Sequence, residues 1–398
     1  MPRMPSAAVT SRLTAPGCWS SDLADDRRVR ARDLGIAIGT QPVGPLNAIT
    51  DVPGVRVGHA TVCWGEPQLP AGQGPARTGV TAIIPCGDPF HERVAAGVFA
   101  ANGVGEVVGS TAIREWGLIE TPIMLTNSQS VGAVYDATVR WMMARDPQVG
   151  LDDAAMPVVG ECDDSMLNDI RGMHILPEHV FAALDAAADG PVAEGGVGAG
   201  AGMTCYDFKG GIGTSSRIVH AYGRSYVAGV LVLTNFGDRP RLTVDGVPVG
   251  REIPDLLPND HHEGSCIVVL ATDAPLSGRQ CERMAKRCSL GLAATGSYAS
   301  DGSGEIMLAF STAERIPRES SAPLVSSRLG DDALTDLFVA AVDATAEAVI
   351  NSLCAAQTTI GRQGTTVHAI PLDRLAAAMA KYGRGGGPVE TSSPKAVR

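Results

Sequence analysis

The sequence predicts an α+β protein built in layers, and three observations carry that reading. Hydrophobic residues make up 44% of the 398 residues but aromatics only 4%, with 47 glycines. The core must therefore be made of Ala, Val, Leu and Ile, with close backbone approaches at Gly. Runs with strand spacing and runs with helical spacing both occur, and they come partly in clusters rather than in strict alternation, which favours a layered α+β sandwich over a doubly wound parallel sheet.

Strands are predicted over 35–38, 55–62, 80–85, 122–126 and 226–234, each short, apolar or alternating, and bounded by Gly, Pro or Asn. Helical spacing appears over 131–143, 178–187, 279–292 and 333–353. In the third, Cys281, Met284, Ala285, Cys288 and Leu292 share one stripe, as a core-facing helix requires. Residues 1–30 and 383–398 read by composition as flexible ends, leaving 31–382 as one domain. The densest glycine run, 195–213, fits neither GxxxxGK[ST] nor a clean GxGxxG after a strand, so close packing or a tight turn near a pocket accounts for it.

Charge and cysteine usage exclude several classes. The net charge of -11 and the absence of any dense Lys/Arg run argue against a nucleic-acid partner. No stretch reaches transmembrane length, and the first thirty residues lack the apolar run of a signal peptide, so a cytoplasmic location is expected. Nine scattered cysteines without a CxxC predict reduced thiols. His261 and His262 are adjacent and would point in different directions on any regular element, so no metal site is indicated.

The stretch 256–277, LLPNDHHEGSCIVVLATDAPLS, passes from a polar loop to a strand-like run at Gly264 and Ser265. A serine there can attack the preceding carbonyl through a five-membered ring, uncrowded by a side chain at Gly264. Rearrangement to an ester and hydrolysis would leave Ser265 as a new N-terminus. Its α-amine, with a pKa of about 7.7 to 8.0, could then serve as general base for its own hydroxyl. Gly-Ser also occurs at Gly109, Gly296 and Gly302, so the dipeptide alone identifies nothing.

A second strand opens in 300–310, SDGSGEIMLAF, with Ser303 and Glu305 on one face. The helix over 279–292 lies between the two strands, so 265 and 303 can lie side by side in one sheet. A Ser-Glu relay there could orient the new amine; a solvated Glu at a strand start is the plain alternative. Asn235 ends the apolar strand 226–234, where it is either a turn former or an oxyanion donor. ECDDSMLND, 161–169, holds four carboxylates and reads either as a solvated acidic turn or as a receptor for a substrate amine.

Together these stretches resemble the self-processing aminopeptidases that include L-aminopeptidase/D-amidase/esterases and β-peptidyl aminopeptidases, sometimes called the DmpA family. The likeness runs from about Arg32 to about Gln357 through ITDVPGVRVGHATV, GEVVGSTAIREWGLIETPIMLTNSQSVG, PVVGECDDSMLNDI, GVGAGAGMTCYDFKGGIGTSSR, LVLTNFG, GSCIVVLATDAPL and GSGEIMLAFSTA, in the family's order. The resemblance implies a four-layer αββα sandwich, autoprocessed into an α-chain ending at Gly264 and a β-chain starting at Ser265. It also implies a homo-oligomer, a tetramer of such pairs, and no cofactor or metal.

Carried over residue by residue, Ser265 resembles the family's nucleophile, Ser303 and Glu305 its supporting pair, Asn235 its oxyanion donor and Glu161 the carboxylate that receives the substrate's free amine. The expected substrates are short peptides, amides or esters with a free amino terminus. Asp163 and Ser165 depart from the family's E-x-[aromatic or N]-D-G pattern, and an ionised Asp163 cannot donate to an oxyanion. The alternatives are an acyltransferase of the ornithine acetyltransferase type, whose known members use threonine at the new N-terminus, and an inactive binding protein on the same fold.

Overall fold

The computed structural model of the protein describes residues 28–151, 153–259 and 264–385. Cys18, His261 and His262 lie outside them. In chain order the elements are β1 (Arg56–Trp64), β2 (Ala76–Ile84), β3 (Glu92–Gly103), β4 (Val107–Val108), α1 (Ser110–Trp116), β5 (Leu118–Ile119), β6 (Ile123–Asn127), α2 (Val131–Arg145), β7 (Val158–Cys162), α3 (Pro177–Asp185), β8 (Thr204–Cys205), β9 (Phe208–Lys209), β10 (Ile212–Ala221) and β11 (Arg224–Asn235). They continue with α4 (Val249–Glu252), β12 (Ser265–Thr272), α5 (Gly278–Ala294), β13 (Gly304–Pro317), α6 (Leu334–Ala355), β14 (Thr359–Ile360), β15 (Thr366–Val367) and α7 (Leu372–Lys381). This is a mixed α/β fold with two principal sheets, ordered β1-β2-β6-β7-β4 and β10-β11-β12-β13-β3-β5.

Strand β12, SCIVVLAT, shows why the core sequence reads as continuously apolar. All eight of its residues are buried, because both faces of the sheet are covered. Cys266, Val268 and Leu270 join one apolar cluster with residues of α5, α6 and α7. Their alternates Ile267, Val269 and Ala271 join a second cluster with Ile83, Leu125 and Val158 of the other sheet. The far side of that other sheet, through Val62, Val80 and Met124, packs on Val134 of α2 and Val180 and Leu184 of α3. Each fully buried Val, Leu or Ile contributes about 1.5–3 kcal/mol, so these three clusters supply the main driving force for folding.

The predicted stripe of α5 is buried throughout: Cys281, Met284, Ala285, Cys288 and Leu292 all lie in the cluster under the second sheet. Ser277 caps this helix, accepting from the Gln280 amide. The helix comprising Asp331–Ala355 is long and apolar enough to cross a membrane, but 78% of its apolar window is buried inside the protein, as in a core helix.

Three expectations need correction. Residues 35–38 are not a strand: Gly35, at φ 74°, ends a 3-10 helix over Ala31–Leu34, and Ile36 and Ile38 are apolar because irregular backbone there is pressed into the core. Cys63 is disulfide-bonded, so reduced thiols hold only for Cys86, Cys162, Cys205, Cys266, Cys281, Cys288 and Cys354, all buried. The acidic turn is only partly solvated, as described below. Nor did pattern reveal β3, ERVAAGVFAANG, a long strand rich in Ala and Gly, which are poor strand formers.

Gly97 explains part of that composition. A Cβ on it would fall 2.2 Å from the Glu282 backbone nitrogen, where α5 crosses β3. Gly97→Ala is expected to force these elements apart and destabilise the protein by about 1–3 kcal/mol, read from the midpoint of urea unfolding. An unchanged midpoint would contradict the crossing as described.

Candidate active site

Ser265 is the first residue of β12, and the register of its sheet collects the residues the sequence singled out. On one side Ser265 pairs with Asn235, the last residue of antiparallel β11. On the other it pairs with Gly304, which opens parallel β13 between Ser303 and Glu305. Helix α5 provides the crossover that makes β12 and β13 parallel neighbours, as the spacing of the two strands suggests. Ser265, Asn235, Ser303 and Glu305 therefore sit together at one end of the sheet, and all four are buried.

Strand alternation separates them into two groups. Ser265 and Asn235 share the parity of Ile267 and Leu233, which face the other sheet. Ile267 packs against Gly160 of β7, where a Cβ would lie only 3.2 Å from its side chain. That contact brings Cys162, at the end of β7, near Ser265, and the Cys162 thiol faces the Leu233 carbonyl at 3.9 Å. Burial pushes this thiol's pKa well up, so it stays protonated.

Ser303 and Glu305 form the second group. The Ser303 hydroxyl donates to Glu305 Oε1 at 2.5 Å, and the other carboxylate oxygen is buried without a partner. Burial raises the Glu305 pKa, and the Ser303 hydrogen bond partly opposes it. Both residues line, with Gly264, Asp238 and Ser300, a small pocket of about 50 Å³. Asn102 of β3 fixes the loop before Ser303, donating to the carbonyls of Ser300 and Ser303 at 2.6 Å each.

Gly264 answers to a packing demand beyond its lack of a crowding side chain. A Cβ there would fall 1.6 Å from the Asn235 carbonyl oxygen. Asn235 is held at both ends of its amide: Oδ1 accepts from the Thr204 backbone N–H at 3.0 Å, and Nδ2 donates to the Asp163 carbonyl at 2.8 Å. An amide nitrogen carries two protons, so one remains for another acceptor.

Glu161, next to Cys162 on β7, is also buried. Its Oε1 accepts from the Glu106 N–H at 2.8 Å, and Oε2 accepts from the Ser128 hydroxyl. The rest of the acidic segment is only partly exposed. Asp163 is exposed, and its Oδ1 accepts from the Ser165 N–H at 2.9 Å. Asp169 is buried and accepts from the Gly72 and Gly74 N–H groups at 2.7 and 2.8 Å. Asp164 is wholly buried, bonded to Asn168 Nδ2 at 2.9 Å, with its second oxygen unpartnered. Two of the four carboxylates are thus structural, which no charge pattern could disclose.

Burial, with a smaller contribution from Asp163, raises the Asp164 pKa to about 7. An unfolded aspartate releases its proton near pH 3.9. Between these values the folded state keeps a proton the unfolded state has lost, so this group makes stability fall as pH rises through the window. Asp164→Asn is expected to remove that part of the decline, measured as the difference between the two proteins' unfolding free energies from pH 4 to 8. A pH-independent difference would rule out a raised pKa at Asp164.

Sequence reasoning did not find Cys162, Thr204, Ser128 or Asn102, whose contacts with the site arise only through tertiary packing. Among the described residues no group of three or more His, Cys, Asp or Glu is placed to hold a metal ion.

Comparison with known proteins follows this geometry. The family model described as "Peptidase family S58" matches residues 47–367. The β-peptidyl aminopeptidase BapA of Sphingosinicella microcystinivorans is 45% identical over 372 residues, covering 89% of this chain and 93% of the relative. The Burkholderia sp. β-aminopeptidase structure superposes with a TM-score of 0.84 at 44% identity, over 90% of this chain and 100% of that one. The L-aminopeptidase D-Ala-esterase/amidase of Ochrobactrum anthropi, described as a prototype serine aminopeptidase and a variant of the Ntn hydrolase fold, gives 0.85 at 43% identity over 90% and 99%. With the family matched across most of the chain, on a fold shared with solved aminopeptidases, the protein belongs to peptidase family S58 and is an aminopeptidase-type hydrolase.

Proposed function

We propose that the chain cleaves itself between Gly264 and Ser265 and that the freed Ser265 removes amino-terminal residues from short peptides, amides or esters. The observation that carries this reading is the register that sets Ser265 between Asn235 and Gly304, so that one strand end gathers a nucleophile, an amide donor and a buried Ser-Glu pair. In self-cleavage the Ser265 Oγ attacks the Gly264 carbonyl carbon, and the C–N bond breaks as the nitrogen takes up a proton. Water then hydrolyses the ester to a Gly264 carboxylate and a free Ser265 hydroxyl.

In turnover the Ser265 amine takes the proton of its own hydroxyl as Oγ attacks the substrate carbonyl. The proton passes to the leaving amine or alcohol, and water releases the acyl group by the same route. Asn235 donates its remaining amide proton to the oxyanion. Ser303 and Glu305, on the pocket shared with Gly264, orient the amine and stabilise its protonated form. Glu161 receives the substrate's ammonium; a carboxylate has about four lone-pair sites, so its two existing donors leave room.

The layering of the three apolar clusters supports a four-layer αββα sandwich, with helices outside two facing sheets. β-Aminoacyl amides are the first substrates to try, since relatives at 45% and 44% identity are named β-peptidyl aminopeptidases. The test is N-terminal sequencing of the small fragment, then turnover of β-, L- and D-aminoacyl anilides by the cleaved protein. A first cycle other than serine, or cleaved protein inert on every anilide, would defeat the proposal.

A further inference from the structure

One buried cation lies where the site and the segment leading to the scissile bond converge. Arg239, four residues beyond Asn235, is 1% exposed. Its Nε donates to the Tyr206 carbonyl at 2.9 Å and one Nη to the Asp207 carbonyl at 2.8 Å. These two residues are the turn of the β8–β9 hairpin, and both hold left-handed backbone, with φ of 51° and 59°. That geometry is costly for residues other than glycine and needs a fastening. The Arg239 N–H supplies another, donating to Asp207 Oδ2 at 2.8 Å. The same hairpin carries Thr204, whose N–H holds Asn235 Oδ1 at 3.0 Å.

The guanidinium also reaches the other way. It donates to the carbonyls of Ile253, at 3.1 Å, of Asp255, and of Leu256, at 3.3 Å. In this segment Pro254 and Asp255 are exposed and Leu256 is held at φ 58°, so besides buried Ile253 its other anchor is the Asp255 carboxylate's pair with Arg374 at 2.7 and 2.9 Å. The guanidinium face stacks on the Phe208 ring, 3.2 Å from its centroid. A planar fork with five donors spans two backbone segments more widely than a compact ammonium with three.

We propose that Arg239 is a positioning residue for the Asn235 amide, tying the hairpin that holds it to the backbone of residues 253–256. This rests on the Ser265 reading above. Misplacement by about 1 Å costs on the order of 10²-fold in a reaction that depends on near-attack geometry. Removal of the guanidinium is therefore expected to slow processing and turnover together, since both use the Asn235 donor.

The test follows cleavage of freshly made full-length chain with time on denaturing gels, for the unaltered protein, Arg239→Lys and Arg239→Ala, with Ser265→Ala in parallel. Both Arg239 variants are expected to process at least tenfold more slowly while retaining native circular dichroism, and their cleaved fraction, counted by N-terminal serine, is expected to lose kcat in parallel with KM little changed. Methylguanidinium should speed processing of Arg239→Ala, a rescue that a merely structural role does not predict. Wild-type processing rates in either folded variant would overturn the proposal, as would loss of cleavage in Arg239→Ala without rescue. If Arg239→Ala does not fold, Arg239→Lys decides by its rate. Cleavage persisting in Ser265→Ala would instead overturn the Ser265 reading itself.

Discussion

Ser265→Ala is expected to leave a single 41.1 kDa band, where the unaltered chain gives fragments of about 27 and about 14 kDa, the 264/398 and 134/398 shares of that mass. Hydrolysis should fall on the order of 10⁶-fold, as when the nucleophile of another serine hydrolase is removed. Two losses combine here. Without Oγ no ester forms, so the chain stays whole; without cleavage no α-amine is freed, so no general base exists. The fold should survive, because the substitution removes one hydroxyl at a strand end while β12 keeps its ladders with β11 and β13. A two-band pattern in Ser265→Ala would place the cleavage chemistry on another residue.

The parts of this site that the sequence made legible are those whose chemistry is local. Ser303 and Glu305 are two apart on a strand, and their hydrogen bond at 2.5 Å realises the same-face expectation. The loop-to-strand switch at Gly264 and Ser265 was visible because polarity changes there, and Asn235 because it closes an apolar run. Other features depend on contacts between distant segments. Cys162 reaches Ser265 only because Gly160 lets β7 approach Ile267. Strand β3 was hidden by its alanines and glycines, which the crossing of α5 demands at Gly97. Ile36 and Ile38 misled in the opposite direction, since burial makes a segment apolar whatever its backbone does.

The acidic segment shows the same limit for charge. Its four carboxylates look alike in sequence, yet Asp164 and Asp169 are buried, Glu161 is held by two donors, and Asp163 faces solvent beside Asn235. The proposed receptor role of Glu161 uses the lone pairs its two donors leave open, and Asp163 keeps an exposed carboxylate next to the Asn235 amide. Asp164, wholly buried, bears on stability instead.

Asn235→Ala is expected to lower kcat of the cleaved enzyme by about 10²–10³-fold, the cost of one oxyanion donor, about 2.7–4 kcal/mol, with KM little changed. Self-cleavage passes through an oxyanion of the same kind at Gly264 and should slow in parallel. The Ala variant alone does not separate donation from anchoring, because Asn235 also accepts from Thr204 and donates to the Asp163 carbonyl. Asn235→Asp separates donation from the Thr204 anchor: it keeps the shape and the Oδ1 acceptor for Thr204 but, when ionised, has no proton to give to an oxyanion or to the Asp163 carbonyl and repels a developing negative charge. If donation is the role, Asp is as damaging as Ala or worse. If anchoring the hairpin is the role, Asp keeps most of the activity that Ala loses. Steady-state kinetics of both variants, normalised to cleaved N-terminal serine, decide between them, and an Asp variant within threefold of wild type in kcat would remove Asn235 from the oxyanion site.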